Sequence, residues 1–211
     1  MPSEIVSRIL KKINAPRLLD ILSHDVSGAD LVSIMLETYR RRVSKLSTRA
    51  IINQYKSDRF VSPAKISLSD SVEFDSIAFN LLPNEFDTVE LSPVCPLGTS
   101  SILGPVDQNN IVTTVRNSEV CSDATNVLAL EAAARRQEIL DASSIQTKLC
   151  SSHRHLRAQT FDGPASFAHF RILALCTAGR TVGNFSRETE ALIEHVEYYL
   201  SLLKTLIENN Y

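Results

Sequence analysis

The sequence has no apolar run that approaches the roughly 20 residues needed to cross a bilayer, although hydrophobic residues make up 44 % of the chain. It also has no apolar block followed by a small-residue cleavage pattern, because charges are scattered through its first twelve residues. These absences predict a protein that neither spans a membrane nor enters the secretory pathway. They favour a cytoplasmic location.

Cysteine pairs of the C-x-x-C type are absent as well. The four cysteines, Cys95, Cys121, Cys150 and Cys176, lie about 25 to 30 residues apart. Zinc ribbons need close ligand pairs, and disulfide frameworks belong to small secreted chains. The spacing therefore predicts buried, reduced thiols.

A strong net charge is also lacking. Lys and Arg together number 22 and Asp and Glu 24, so the formal net charge is −2, and no global field attracts nucleic acid. One local run, from Arg40 to Arg59, is basic with Asp58 as its only acid. It could form a phosphate-facing patch, but a solvated helix face is the commoner interpretation of so short a run.

A chain of 211 residues is long enough to bury one sizeable core and short for two independent domains. We therefore predict a single domain over residues 1–211. Residues 1–60 repeat apolar positions at three- and four-residue steps, which predicts a helical N-terminal layer. Residues 61–211 predict an antiparallel β-sheet flanked by helices, so the fold class is α+β.

Several elements of the second region have clear boundaries. A helix is predicted over 69–82, with Ser69 as its N-cap and Pro83 at its end. Residues 86–94 and 111–115 are predicted strands. An alanine-rich helix begins after Asp123 or Thr125 and runs to about Glu138.

The clearest β signal lies in the last third of the chain. Residues 148–161 and 167–177 flank the turn-forming Asp162-Gly163-Pro164, which predicts an antiparallel hairpin within a sheet of at least four strands. Ser186 is the predicted N-cap of a long final helix. The apolar stripe predicted for this helix consists of Leu192, Val196, Tyr199, Leu203 and Leu206.

Two segments resemble the catalytic core of class II aminoacyl-tRNA synthetases. The stretch Leu97-Gly98-Thr99-Ser100 resembles the Arg-Pro-Glu-Gly-Thr segment of histidyl-type members, which contacts the substrate amino acid. The hairpin, with Arg157-Ala158-Gln159 on one strand and His169-Phe170-Arg171 on the other, resembles the family's motif 2. The resemblance covers roughly residues 86–205 and implies an antiparallel sheet flanked by helices.

This resemblance implies a set of site residues. An arginine in the place of Arg157 grips the α-phosphate of ATP, since a planar guanidinium offers two parallel donors to a phosphate. The implied cofactor is ATP with Mg, and the implied partner is a second copy that associates through about residues 69–94. The implied cofactor-binding residues are Arg157, Gln159, His169, Phe170 and Arg171, and the implied substrate-binding residues are Gly98, Thr99 and Ser100.

The sequence departs from the family where the chemistry is most demanding. Leu97 replaces the glutamate that would hold a substrate ammonium group, Gln159 replaces a second glutamate, and the third family motif has no match. These departures predict a synthetase-like paralogue without full aminoacylation activity, which binds a nucleotide, a phosphate or an RNA end in a regulatory or accessory role. The alternatives are an adenylate-forming ligase for a small carboxylic acid and a structural interaction domain without a small-molecule site.

The hairpin also carries possible metal ligands and nucleophiles. Cys150, His153, His155 and His169 are all ligand types for zinc. On a strand, however, His153 and His155 share one face and Cys150 points to the other, so no metal site is predicted. A Cys-His nucleophilic pair is chemically conceivable, but no nucleophile-elbow sequence accompanies it.

Overall fold

The computed structural model describes residues 3–139, 146–159, 167–181 and 183–209. These residues form an α+β structure in two compact units. The first unit runs to Lys56 and includes Thr114–Asn117, and the second comprises Ser57–Thr113 and the described residues from Ser118 onward. The division lies near the boundary predicted at residue 60. That both units belong to one domain stays a prediction.

The first unit is helical, as predicted. Ser3 caps the first helix by accepting a hydrogen bond from the amide of Val6, and Ser27 caps the third through the amide of Asp30. None of the described residues in these helices is buried. The elements are α1 (Glu4–Lys12), α2 (Leu18–Asp20) with a π-helical turn (Ile21–Asp25), α3 (Gly28–Val43) and α4 (Thr48–Ser57).

The second unit contains a small mixed sheet. Strand β4 (Thr147–Leu156) pairs antiparallel with β5 (His169–Ala178), which confirms the predicted hairpin. The other edge of β4 pairs in parallel with the short strand β1 (Asp87–Thr88). The sheet order is β1-β4-β5, so the described residues give this sheet three strands, and the prediction of at least four antiparallel strands is wrong. The predicted turn at residues 162–164 lies outside the described residues.

The predicted strand over 86–94 is divided between two sheets. Its first part is β1, which ends at Thr88, and the Val89 amide also donates to the carbonyl of Cys150 at 2.8 Å. Its end contributes to β2 (Val94–Pro96), which pairs antiparallel with β3 (Ser118–Val120). The strand predicted over 111–115 is replaced by an isolated bridge between Thr113 and Glu119. Ile111 is buried, and the carbonyl of Val112 accepts a hydrogen bond from the amide of Val120 at 2.8 Å.

Helices cover both faces of the hairpin. They are α5 (Leu68–Leu81), α7 (Ala124–Gln137) and α8 (Ser186–Glu208), and a short α6 (Thr99–Ile102) follows β2. The cap of α7 is Asp123, the first of the two predicted candidates, whereas α5 begins after Ser67 and α8 after Phe185, rather than after Ser69 and Ser186. Among the described residues, no helix is long and apolar enough to cross a membrane.

Two hydrophobic clusters fix these helices on the sheet. On the α8 face, α5 and α8 pack over alternate hairpin residues, and the Tyr198 hydroxyl donates to the carbonyl of Ala78 across the two helices at 2.9 Å. On the α7 face, α7 packs over the intervening residues. The α8-face cluster contains Ala78, Phe86, Cys150, Leu175, Tyr198 and Leu202, and the α7-face cluster contains Leu91, Ala124, Leu128, Ala132, Leu149 and Ala174.

Helix α8 differs from its prediction. Tyr198 and Leu202 are its buried residues, with Tyr199 and Leu206 packed beside them. Leu192, Val196 and Leu203, which belong to the predicted apolar stripe, are exposed instead. The helix is apolar over more than one face, so the predicted stripe combined residues from two faces.

Candidate anion pocket and the anchored arginine

The register of the hairpin decides which site residues meet. Arg154 lies opposite Arg171, and Leu156 lies opposite His169. Because side chains on a strand alternate between faces, these four positions belong to the α8 face. His153, His155 and Phe170 belong to the α7 face by the same rule.

A cavity of about 520 Å³ opens on the α8 face, between the hairpin, α5 and the segment that precedes α5. This volume is within the range of small-molecule sites. Its wall combines aromatic and aliphatic side chains with cationic ones. The lining residues are Ala64, Lys65, Ile66, Asp70, Ser71, Phe74, Arg154, Phe167, His169, Arg171 and Leu173, and Phe170 also borders the cavity although strand alternation places its side chain on the α7 face.

A hydrogen-bonded chain orders the arginine at the centre of this wall. Arg154 Nη1 lies 2.8 Å from His169 Nδ1, and His169 Nε2 lies 2.6 Å from the carbonyl oxygen of Ser62. A carbonyl only accepts, so these partners assign the His169 proton to Nε2 and make Nδ1 the acceptor for Arg154. The contact uses one of the five guanidinium donors of Arg154.

The two cavity arginines differ in their carboxylate partners. Arg171 Nη1 donates to Asp75 Oδ2 at 2.8 Å and also to the Ser152 hydroxyl, which itself donates to Asp75 at 2.6 Å. No carboxylate of the described residues forms an ion pair with Arg154, whose side chain is exposed. Arg154 is therefore the better-placed donor for an anion.

Arg157, the predicted phosphate-binding residue, occupies a different place. Its Nε donates to the carbonyl of Ser122 at 3.1 Å, and its Nη2 lies 3.4 Å from Asp123 Oδ2. Its guanidinium carbon also lies 5.1 Å from the centre of the Phe170 ring, a cation–π distance. The structure thus ties Arg157 to the N-cap of α7 and does not bring it together with Arg171.

The Gly98-Thr99-Ser100 segment is anchored by a residue that the sequence did not reveal. The amides of Gly98 and Ser100 each donate to Glu119 at 2.8 Å, and Gln108 Nε2 donates to the same carboxylate at 3.0 Å. Glu119 is fully buried. Burial alone would raise its pKa, but these hydrogen bonds outweigh burial and lower the pKa of the carboxyl.

This anchoring gives the segment a local structural role. Gly98 has a φ of 91°, which favours glycine, and the Thr99 hydroxyl donates to the carbonyl of Pro96 at 2.7 Å. The hydroxyls of Ser100 and Ser122 lie 2.8 Å apart, next to the carbonyl that Arg157 contacts. Ser100 and Arg157 therefore meet at Ser122, away from His169. No sequence signal marks Glu119, since one acid within a short strand has no periodic partner.

The remaining predicted residue, Gln159, is exposed at the described end of the segment that follows β4. Its backbone carbonyl accepts a hydrogen bond from Arg59 at 3.2 Å, and Arg59 also donates to the carbonyl of Ala158. One cation of the predicted basic run therefore holds this segment. Within the same run, Arg40 and Arg41 each contact Glu37 at 2.7 Å.

Two histidines are buried on the α7 face. His155 is fully buried and His153 nearly so, and no hydrogen-bond partner among the described residues reaches the Nε2 atom of either. Burial lowers the pKa of both, that of His155 to about 4. His155 is therefore neutral at pH 7 and belongs to the core.

The described residues contain neither a group of metal ligands nor a reactive cysteine–histidine pair. No group of three or more His, Cys, Asp or Glu side chains there could hold a metal ion. Cys121 Sγ lies 3.6 Å from His155 Nδ1, a pair that the sequence did not suggest. Burial raises the pKa of the Cys121 thiol to about 12, so it is protonated and unreactive.

Comparisons with known proteins return structural likeness only. No family model matches the sequence, and no curated protein matches it. The chain aligns with an ATP phosphoribosyltransferase regulatory subunit/histidyl-tRNA synthetase from Bacillus halodurans C at 15 % identity and a TM-score of 0.48, over 67 % of this chain and 37 % of that one. It aligns with a histidyl-tRNA synthetase from Nostoc at 15 % identity and a TM-score of 0.44, over 67 % and 34 %.

A third solved structure covers more of the chain. It is a pyrrolysyl-tRNA synthetase from Desulfitobacterium hafniense, aligned at 11 % identity and a TM-score of 0.48 over 95 % of this chain and 67 % of that one. The chain thus spans little more than a third of the two histidyl-type structures. All three alignments have TM-scores below 0.5.

Proposed function

We propose that this chain is a class II synthetase-like paralogue that binds a small phosphate-bearing ligand without activating an amino acid, and that the ligand occupies the cavity on the α8 face. The observation that carries the proposal is the position of Arg154. It lies in the wall of a cavity of ligand size, ordered by His169, without a carboxylate partner among the described residues.

The cavity wall favours a ligand with an anionic end and a flat or apolar body. Lys65 and Arg154 contribute positive charge against Asp70, the one carboxylate among the described lining residues, since Arg171 is paired with Asp75. Phe74 and Phe167 contribute aromatic surface of the kind that packs against a nucleobase. A mononucleotide combines both features, so we take it as the ligand class.

The same geometry argues against amino-acid activation. The two backbone amides of the Gly98 segment already donate to Glu119. Arg157 already contacts Ser122 and Asp123. At the family's glutamate position, Leu97 offers no charge to a substrate ammonium. Substrate recognition at these residues would require breaking internal contacts.

Calorimetric titration with AMP, adenosine and inorganic pyrophosphate tests the proposal. One charge-assisted contact contributes about 1.5 to 3 kcal/mol, so AMP should bind at least about tenfold more tightly than adenosine, with an affinity that falls as salt rises. Pyrophosphate alone should bind more weakly than AMP, because it lacks the apolar body. Equal affinity for adenosine and AMP, or no binding of either, would contradict the proposal.

An exchange assay addresses the lack of activation separately. ATP-dependent pyrophosphate exchange should stay at background with amino acids and with other small carboxylic acids. Exchange with any of them would contradict the proposal. It would favour the adenylate-forming ligase, the alternative that the sequence left open.

A further inference from the structure

Helix α8 exposes a continuous apolar stripe on the side that faces away from the sheet. The side chains are between 48 % and 72 % exposed, while Tyr198 and Leu202 on the opposite side are buried. A contiguous apolar surface of this kind usually marks a contact surface. The α8 stripe consists of Leu192, Ile193, Val196, Leu200, Leu203 and Ile207.

The stripe is nearly symmetric about Leu200. Ile193 and Ile207 lie seven residues to either side, and Val196 and Leu203 lie four and three residues away. Two such helices, antiparallel and crossing at Leu200, would place each Ile193 beside the other copy's Ile207. Each Val196 would likewise lie near the other copy's Leu203. The pattern is thus complementary to itself, as a two-fold interface requires.

The charges that border the stripe follow the same symmetry. Glu197 and Lys204 are exposed on one flank of α8, three and four residues from Leu200 on opposite sides. In an antiparallel pair, like flanks of the two helices adjoin, so each Glu197 would lie beside the other copy's Lys204. Among the described residues, the ion pair of Lys204 is a long contact of 4.0 Å with Glu208, and both of those side chains are more than half exposed. Two opposite-charge pairs would therefore form without breaking a strong one.

The size of the stripe is adequate for association. At these exposures each side chain leaves on the order of 100 Å² of apolar surface, so the six from each of two copies would bury roughly 1,200 Å². This is at the lower end of specific protein interfaces, and it excludes what the flanking residues add.

We propose that the α8 stripe is a homodimer interface, in which the α8 helices of two copies pack antiparallel across Leu200 with Glu197 beside the other copy's Lys204. This surface differs from the one over residues 69–94 that the synthetase resemblance implies. The proposal does not depend on the ligand cavity.

Sedimentation of paired variants decides between the two surfaces. The wild-type chain should be a dimer at micromolar concentration, and Leu200→Glu should shift the equilibrium to monomer with an unchanged circular dichroism spectrum. The matched control is Val72→Glu, at an exposed apolar position of α5, which should remain dimeric. A monomeric wild type, or a dimer that Val72→Glu disrupts and Leu200→Glu leaves intact, would overturn the proposal.

Charge reversal tests the antiparallel register. Glu197→Lys and Lys204→Glu should each raise the dimer dissociation constant severalfold, because each places like charges together. The double variant should restore most of the loss. Failure of the double variant to recover would rule out this register.

Cross-linking tests the position of the two-fold axis. Leu200→Cys should form a disulfide-linked dimer on mild oxidation, because residue 200 of one copy lies beside residue 200 of the other at the two-fold axis. Ile193→Cys should not, because two residues 193 would lie about 21 Å apart along the helices, beyond the reach of a disulfide. Equal cross-linking of both variants would contradict the geometry. The native cysteines give little background, since burial raises the pKa of all four thiols.

Discussion

The two faces of the β4–β5 hairpin use the same residue types in opposite ways. On the α8 face, Arg154 and His169 are neighbours in the wall of a cavity, and Arg154 has no carboxylate partner among the described residues. On the α7 face, Arg157 contacts Ser122 and Asp123, and His155 is fully buried. Arg154 is thus available to a ligand, whereas Arg157 holds the start of α7.

The difference shows that residue type does not identify a site on a strand. Arg154 and Arg157 are three residues apart, and an odd separation places them on opposite faces of an extended chain. What decides their roles is which helix packs on each face and whether it brings a carboxylate. Substitutions on the α7 face should therefore change the stability of the fold. Substitutions on the α8 face should change ligand binding.

The largest expected effect is at Glu119, on β3, which holds the segment that Ser100 shares with the Arg157 side of the hairpin. Glu119→Ala would leave the partly buried amide of Gly98, the buried amide of Ser100 and the side chain of Gln108 without their acceptor. Each unsatisfied group costs about 1 kcal/mol or more, so the free energy of unfolding should fall by about 3 kcal/mol in urea denaturation. Glu85→Ala, at an exposed position, is the control and should change it by less than about 0.5 kcal/mol. If Glu119→Ala changed the free energy of unfolding by a similarly small amount, the hydrogen bonds to Glu119 would not stabilise the fold.

The next effect is a pH dependence from His155. Its pKa is lowered to about 4 in the folded chain, and an unfolded histidine has a pKa near 6.5. Between these values the unfolded chain binds more protons, so stability falls as pH decreases from about 6.5 to about 4. The contribution of this group is on the order of 3 kcal/mol.

His155→Phe removes this contribution and isolates it. Relative to the wild type, the variant should gain stability on going from pH 7 to pH 4.5, as measured by urea unfolding at each pH. His24→Asn removes an exposed histidine and should leave the pH dependence as it is. If His155→Phe and the wild type lost stability in parallel, His155 would titrate normally and could not be a neutral core residue.

Local patterns predicted much of this arrangement. The hairpin, the alanine-rich helix and its Asp123 cap follow from residues near one another in the chain, and the structure contains all three. Strand alternation also correctly predicted that Cys150 lies on the opposite face of the hairpin from His153 and His155. Each of these features depends on a period or a cap that a short window of sequence displays.

Features set by distant contacts could not be read in this way. The parallel pairing of β1 with β4 joins segments about 60 residues apart, and its two residues carry no strand pattern of their own. The register that sets Arg154 opposite Arg171 depends on the whole hairpin. Helix α8 is apolar on two faces, so periodicity did not reveal that Leu202 is buried and Leu203 exposed.

The most direct test of the central claim compares Arg154→Ala with Arg157→Ala in two measurements, AMP affinity by calorimetry and melting temperature without ligand. Arg154→Ala should weaken AMP binding by about 1.5 to 3 kcal/mol, roughly 10- to 100-fold, with an unchanged melting temperature. Arg157→Ala should lower the melting temperature by about 2 to 4 °C, since its partly exposed contacts contribute about 1 kcal/mol, and should leave AMP affinity unchanged. The reverse result, in which Arg157→Ala abolishes AMP binding and Arg154→Ala leaves it intact, would place the ligand on the α7 face and contradict the account.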